Sequence, residues 1–169
     1  IGVVTIGGDM TLAQGHIYEV EIDATGASDL VAVGGTATLA GSVAVSPLGG
    51  YLVGTPYTIL TAGSLGGTRF DAVSFTESYA FVSALLSYDA NSVDLTIQRN
   101  GIAYASVAEG DNQRAVANAL ESLPINGTLG RTVAFGTVDA ARAAFSGLSG
   151  EVHALSLIHI SEPTRQAEI

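Results

Sequence analysis

The first hundred residues follow a two-residue rhythm. Tyr18, Val20 and Ile22 alternate with Glu19, Glu21 and Asp23, so one face of a strand points inward and the other outward. Short apolar runs follow at Leu30 to Val33, Ala37 to Leu39, Val43 to Val45, Tyr57 to Thr61, Phe70 to Phe75, Phe81 to Tyr88 and Val93 to Ile97. Glycine pairs or glycine-containing turns separate them. The pattern predicts short strands throughout 1–99 and no helix longer than a turn. Thr11-Leu12, Thr38-Leu39 and Thr96-Ile97 look alike locally, without a strict period. A solenoid behaves this way, because each coil needs only inward apolar residues and permissive corners.

After Asn100-Gly101 the rhythm becomes helical. Asp111 suits an N-cap, and Val116, Ala119, Leu120 and Leu123 then fall on one stripe until Pro124. Thr128 to Phe135 predicts a short second helix closed by Gly136. Thr137 caps a third, with Ala141, Ala144, Phe145 and Leu148 on one face and Gly150 beyond its end.

Composition narrows the class. The chain has 169 residues, 47% of them hydrophobic and only 13% charged, which excludes a disordered, highly charged chain. The formal net charge is -10 and all six basic residues are arginine. So acidic a chain repels nucleic acid and anionic headgroups, so neither is an expected partner. There is no cysteine, so neither a disulfide framework nor a thiolate metal site is expected. The chain begins at Ile1 in mid-pattern, and the expectation is a fragment of a longer protein.

Candidate chemistry is sparse. Glu19, Glu21 and Asp23 put three carboxylates on one strand face, but a straight strand spreads rather than converges them, so a solvated face is expected instead of a Ca²⁺ site. Gly7-Gly8-Asp9 matches half of a Ca²⁺-binding nonapeptide without a tandem partner and reads as a turn. Gly34-Gly35 and Gly66-Gly67 lack the helix and lysine of a phosphate loop and read as corners. His16 and His153 lie near no Gly-x-Ser-x-Gly elbow, and Gly147-Leu148-Ser149-Gly150 matches one only superficially. Asp29, Asp71, Glu77 and Asp89 show no spacing that singles out a glycosidase pair. The expectation is no catalytic, cofactor-binding or metal site, no cofactor, and a protein that is not an enzyme.

Several stretches together resemble one family: Ser28 to Gly41, Tyr57 to Ala62, Leu86-Ser87-Tyr88-Asp89, Asn112-Gln113-Arg114-Ala115-Val116-Ala117-Asn118-Ala119-Leu120, and Ser149-Gly150-Glu151. They are similar, in this order, to the autotransporters (type V secretion proteins) of Gram-negative bacteria, where the secreted passenger meets the outer-membrane barrel. The resemblance implies a mainly β fold. Residues 1–100 would be the C-terminal rungs of a right-handed parallel β-helix, a pertactin-like passenger end acting as autochaperone. Residues 101–154 would be the α-helical linker and start of the barrel domain, with the barrel itself missing. The family's self-cleaving members use an Asn-Asn pair that this chain lacks, so no cleavage residue is carried over.

The function implied is to seed β-helix folding during secretion and to join passenger to barrel, at the outer membrane and cell surface. The implied partners are the chain's own barrel and upstream passenger, with the barrel assembly machinery and periplasmic chaperones. The inward residues expected to carry the role are Val31, Val33, Leu39, Val43, Val45, Tyr57, Ile59, Leu60, Phe70, Phe81, Leu86, Val93, Leu95 and Ile97. The alternative is a surface adhesin or carbohydrate-binding β-helix module, which an exposed aromatic cluster would favour; a β-helix polysaccharide enzyme would need a clustered acid patch. Leu155-Ser156-Leu157-Ile158-His159-Ile160-Ser161-Glu162-Pro163-Thr164-Arg165, and the residues to Ile169, resemble a translated sequencing adapter and are expected to be an artefact.

Overall fold

The structure is a computed structural model that describes residues 1–150. The tail read as adapter-derived, and His153, lie outside the described residues. The chain divides into two units, 1–102 and the residues from 103 on.

The first unit is built of nine strands: β1 (Val3–Ile6), β2 (Met10–Thr11), β3 (Ile17–Asp23), β4 (Leu30–Thr38), β5 (Ser42–Leu48), β6 (Pro56–Ser64), β7 (Ala72–Phe75), β8 (Val82–Tyr88) and β9 (Ser92–Arg99). From β1 to β7 the chain passes back and forth between two sheets. In one, β1, β4 and β6 pair in parallel; in the other, β3, β5 and β7 do so. Parallel neighbours need long connections, and here each connection is a strand of the opposite sheet. The local likeness of Thr11 and Thr38 has a structural basis, since the two are register partners in the parallel pairing of β2 with β4. Thr96 is not part of that series.

The parallel pattern stops at β6. The expectation of parallel rungs to Ile97 is corrected here: β9 pairs antiparallel with β6, and β8 antiparallel with β9. The reason is the short link at Asp89–Asn91, which joins two antiparallel strands but is too short for a parallel crossover. The Asp89 N–H donates to the Ser92 carbonyl at 3.0 Å and closes this hairpin.

Twelve of the fourteen expected inward residues are buried; Val31 and Leu86 are half-buried. Ile59 and Leu60 are both fully buried although adjacent residues of a strand normally face opposite ways. A register shift between Thr58 and Leu60 in the β6–β9 ladder accounts for it, since a bulge sets two residues against one. Tyr51 is also fully buried, packed against Phe75 and Tyr79 at centroid distances of 5.8 and 5.6 Å. It follows Gly49-Gly50 outside any strand, where no periodicity marks it.

Among its described residues the second unit holds a 3₁₀ turn (Tyr104–Val107) and three helices: α1 (Asp111–Glu121), α2 (Thr128–Ala134) and α3 (Val138–Ser149). Asp111 is not the N-cap. Gly110 occupies that position, and Asp111, the first helical residue, pairs instead with Arg114 at 2.9 Å. A carboxylate in the first turn still suits the positive end of the helix. Thr137 does cap α3, its hydroxyl accepting from the Ala140 N–H at 3.2 Å, and Gly150 ends the helix at φ 74°, a left-handed conformation that costs glycine little. No helix among the described residues is long and apolar enough to cross a membrane, which says nothing of a β-barrel.

The buried stripes differ from those expected. On α1 the buried residues are Gln113, Ala117 and Leu120, while Leu123, just past the helix, is 41% exposed. On α3 they are Ala141 and Phe145, while Leu148 is 48% exposed. The α3 face is the expected one, narrowed to Ala141 and Phe145, whereas on α1 the buried face keeps Leu120 but turns toward Gln113 and Ala117, because polar groups hold part of this unit together. Gln113 Oε1 accepts from the Glu109 N–H at 2.7 Å, and its Nε2 donates to Ser146 Oγ at 2.8 Å.

Candidate functional site

Parallel pairing aligns residues of neighbouring strands into files. Along the first sheet, register aligns Val4 with Val31 and Val31 with Leu60. Val4 is 59% exposed, Val31 half-buried and Leu60 fully buried. Burial along this file increases toward the β6–β9 end, where Tyr57, Ile59, Val93, Leu95 and Ile97 are all 0–1% exposed, while Val20 and Ile22 of β3 are already 0% exposed. Each aliphatic side chain so buried contributes about 1.5–3 kcal/mol relative to exposure.

Tyrosine hydroxyls tie this end to the earlier coils. Tyr18 on β3 donates to the Ile59 carbonyl on β6 at 2.7 Å. Tyr57 on β6 donates to the Asp23 carbonyl at 2.9 Å and accepts from the Leu52 N–H at 2.7 Å. Ser28 Oγ donates to the Thr58 carbonyl at 2.9 Å. Burial, reinforced by the nearby Asp29 carboxylate, pushes the Tyr18 hydroxyl well above its ordinary pKa, so it remains a neutral donor.

Four of the acidic residues singled out in the sequence, Asp9, Asp23, Asp29 and Asp71, accept hydrogen bonds from backbone N–H groups. Asp23 accepts from the Thr25 hydroxyl, the Thr25 N–H and the Ala27 N–H at 2.7, 2.8 and 3.0 Å. These bonds, the hydroxyl first, hold its carboxyl below the usual range. Asp29 accepts from the Gly2 and Glu21 N–H groups at 2.6 and 3.0 Å, and Asp71 from the Gly41 N–H at 2.8 Å. Asp9 accepts from the Thr36 N–H at 2.7 Å, a bond between residues 27 apart that joins one coil to the next. Glu19 and Glu77 are exposed, as are Asp89 and His16. Among the described residues no three metal-ligating side chains gather.

In the helical unit, the expected α1 stripe and Leu148 of the α3 stripe line an open apolar groove of about 450 Å³. Val116, Leu123, Leu129 and Leu148 form its walls. Arg142 fastens the 3₁₀ turn to α3, its Nε donating to the Val107 carbonyl at 2.8 Å and its Nη1 lying 3.2 Å from Glu109.

The chain is similar to known proteins over most of its length. It is 32% identical over 170 residues to an extracellular serine protease of Serratia marcescens, which covers 92% of this chain and 16% of that protein. A second extracellular serine protease of the same organism is 32% identical over 139 residues, covering 74% of this chain and 13% of that protein. The chain thus spans less than a fifth of the length of either. No protein-family model matches it. The similarity supports the autotransporter resemblance.

It also corrects one expectation. The chain was expected not to be an enzyme, yet both relatives are named as serine proteases, which are catalytic. The expectation rested on motifs within 169 residues, and motifs cannot report on a protein of which such a chain spans only a small part.

Proposed function

We propose that this chain is a segment of a secreted serine protease of the autotransporter family, and that residues 1–100 seed the folding of the passenger as it emerges at the cell surface. In this reading β1–β7 are turns of a right-handed parallel β-helix. The helical unit is the linker toward an outer-membrane barrel, and the barrel assembly machinery and periplasmic chaperones act on the whole protein. The observation that carries the reading is the file from Val4 through Val31 to Leu60, which dries toward a β6–β9 end closed by antiparallel pairing. A solenoid coil buries its face only against a neighbour. A dry, self-sufficient end is therefore a template on which less protected coils can stack, and their stacking outside the membrane opposes backsliding.

The test is made in the full-length protein. Ile59→Asn with Leu95→Asn removes two fully buried side chains and buries polar groups among aliphatics, at a cost of several kcal/mol each (roughly 2–5). The passenger should still reach the surface but become sensitive to added protease or accumulate less. A passenger as protease-resistant as the wild type would leave the region a spacer.

A further inference from the structure

Within the first sheet, where β4 passes from its pairing with β1 to its pairing with β2, runs a seam of glycines. Register places Ile6 beside Val33 and Met10 beside Ala37, so Gly7 and Gly8 lie against Gly34 and Gly35. The Gly35 N–H donates to the Gly8 carbonyl at 3.0 Å. A Cβ on Gly34 would lie 2.9 Å from the Gly7 carbonyl oxygen, and one on Gly35 would lie 2.9 Å from the Gly8 carbonyl carbon and collide with the Asp9 carboxylate. One coil further on, a Cβ on Gly63 would lie 2.9 Å from the carbonyl oxygens of both Gly34 and Gly35. Backbone therefore passes against backbone at every step of the seam, and only glycine fits.

Gly7 and Gly8 are different. A Cβ on either meets nothing within 4 Å, and neither has a positive φ. Neither the present neighbours nor the local conformation requires glycine there, although glycine costs conformational entropy. The same end of the stack is open in other respects. β1 and β3 each pair on one side only, and Val3, Val4 and Ile17 are 66%, 59% and 70% exposed.

From these observations we infer that Gly7 and Gly8, between β1 and β2, form the receiving seam for one further coil, stacked in parallel on β1 and β3, whose backbone carbonyl at the equivalent position takes the Gly8 N–H as the Gly8 carbonyl takes that of Gly35. The occupant is a preceding coil of the same longer polypeptide. Its relatives are several times longer than this chain, which leaves ample sequence to supply it. A second copy fits less well. Two copies meeting edge to edge must do so about a twofold axis, which sets Glu19, Glu21 and Asp23 of β3 against the same acids. Like charges directly opposite destabilise a strand pair. The inference rests on the solenoid reading of the β unit but not on its role in secretion.

The experiment supplies the coil. Residues 3–29 are duplicated ahead of Val3 in the full chain, which preserves the 27-residue step seen between Asp9 and Thr36. A second version carries Glu19→Ser and Glu21→Ser in the copy alone, so that acid stacking cannot mask the result. Each is combined with Gly8→Ala or, as control, Gly35→Ala in the original coil. In the unextended chain Gly35→Ala should lower the melting temperature and Gly8→Ala should leave it unchanged. In the extended chain both should lower it, and the Val3–Ile6 amides should exchange more slowly than before. The inference is overturned if Gly8→Ala stays neutral in both extended versions while Gly35→Ala is harmful. It is also overturned if the unextended chain forms a dimer that Gly8→Ala disrupts. Neither measurement involves secretion, so a failed passenger-folding test and a failed seam are separate results.

Discussion

The β unit and the helical unit hold themselves together by different means. In the β unit, files of aliphatic side chains are fully buried and hydroxyls bridge the coils, as Tyr18 does to Ile59 and Tyr57 to Asp23. In the helical unit a buried glutamine and a half-exposed arginine carry much of the connection, and the outer part of each predicted apolar stripe lines an open groove. The contrast shows that hydrophobic content alone does not make a core. Leu95 and Leu148 are the same residue type in predicted apolar faces, yet one is 0% and the other 48% exposed.

The largest expected effect tests that contrast directly. Leu95→Ala should destabilise the β unit by about 2–5 kcal/mol, through lost burial and an unfilled cavity. Leu148→Ala should change the helical unit by no more than about 0.5 kcal/mol, because its side chain already meets solvent. Urea unfolding of each variant, followed by tyrosine fluorescence for the β unit and by circular dichroism at 222 nm for the helices, measures both. Comparable losses at the two positions would mean that the groove around Leu148 is covered in solution.

Much of the β unit is readable from residue order. The alternation from Tyr18 to Asp23 marks an inward face and Gly66-Gly67 marks a turn, because each follows from the pleat or from backbone geometry alone; Gly34-Gly35, read as a corner, lies instead inside β4. What is hidden depends on partners distant in sequence. The bulge that turns both Ile59 and Leu60 inward arises from the pairing of β6 with β9. The burial of Tyr51 depends on Phe75 and Tyr79, more than twenty residues away. The carboxylate of Asp9 looked like half of a calcium motif, but its function as an acceptor for the Thr36 N–H requires knowing which strand pairs with which. In the helical unit the period of the stripes and the inner part of the α3 face, Ala141 and Phe145, are legible, but the turn of the α1 face toward Gln113 and Ala117 is not. Gln113 reads as polar and therefore exposed, and only its bonds to Glu109 and Ser146 allow it inside.

A smaller effect sharpens the account of the β unit through pH. The Tyr18 hydroxyl is neutral in the fold and its pKa is raised above the ordinary value of 10.0. Its contribution is therefore fully present below about pH 10 and is lost as pH rises toward the folded value, because the unfolded chain releases the proton first. Tyr79 and Tyr88 are shifted in the same direction, mainly by burial. The urea midpoint of the β unit should fall above pH 10. Tyr18→Phe should lower stability at neutral pH by about 1 kcal/mol, since the Ile59 carbonyl loses its donor, and should flatten the alkaline fall without abolishing it. An unchanged alkaline slope in Tyr18→Phe would remove this hydroxyl from the account.

The smallest effect separates two ways of starting a helix. Thr137 caps α3 through a direct bond from the Ala140 N–H. Asp111 stands at the first position of α1, almost fully exposed, and contributes a surface pair with Arg114 and a charge near the helix dipole. Thr137→Ala removes the acceptor for an otherwise unpaired helix N–H and should cost about 1 kcal/mol. Asp111→Ala removes only screened electrostatics and should cost about 0.5 kcal/mol or less. Salt discriminates between them further, since the Asp111 contribution shrinks as ionic strength rises and the Thr137 hydrogen bond does not. Following the 222 nm transition of both variants at low salt and at about 1 M, where the screening length is near 3 Å, gives the answer. If the Asp111 variant loses as much as the Thr137 variant at both salts, the carboxylate caps α1 in solution after all, and the glycine at position 110 is not the helix's starting device.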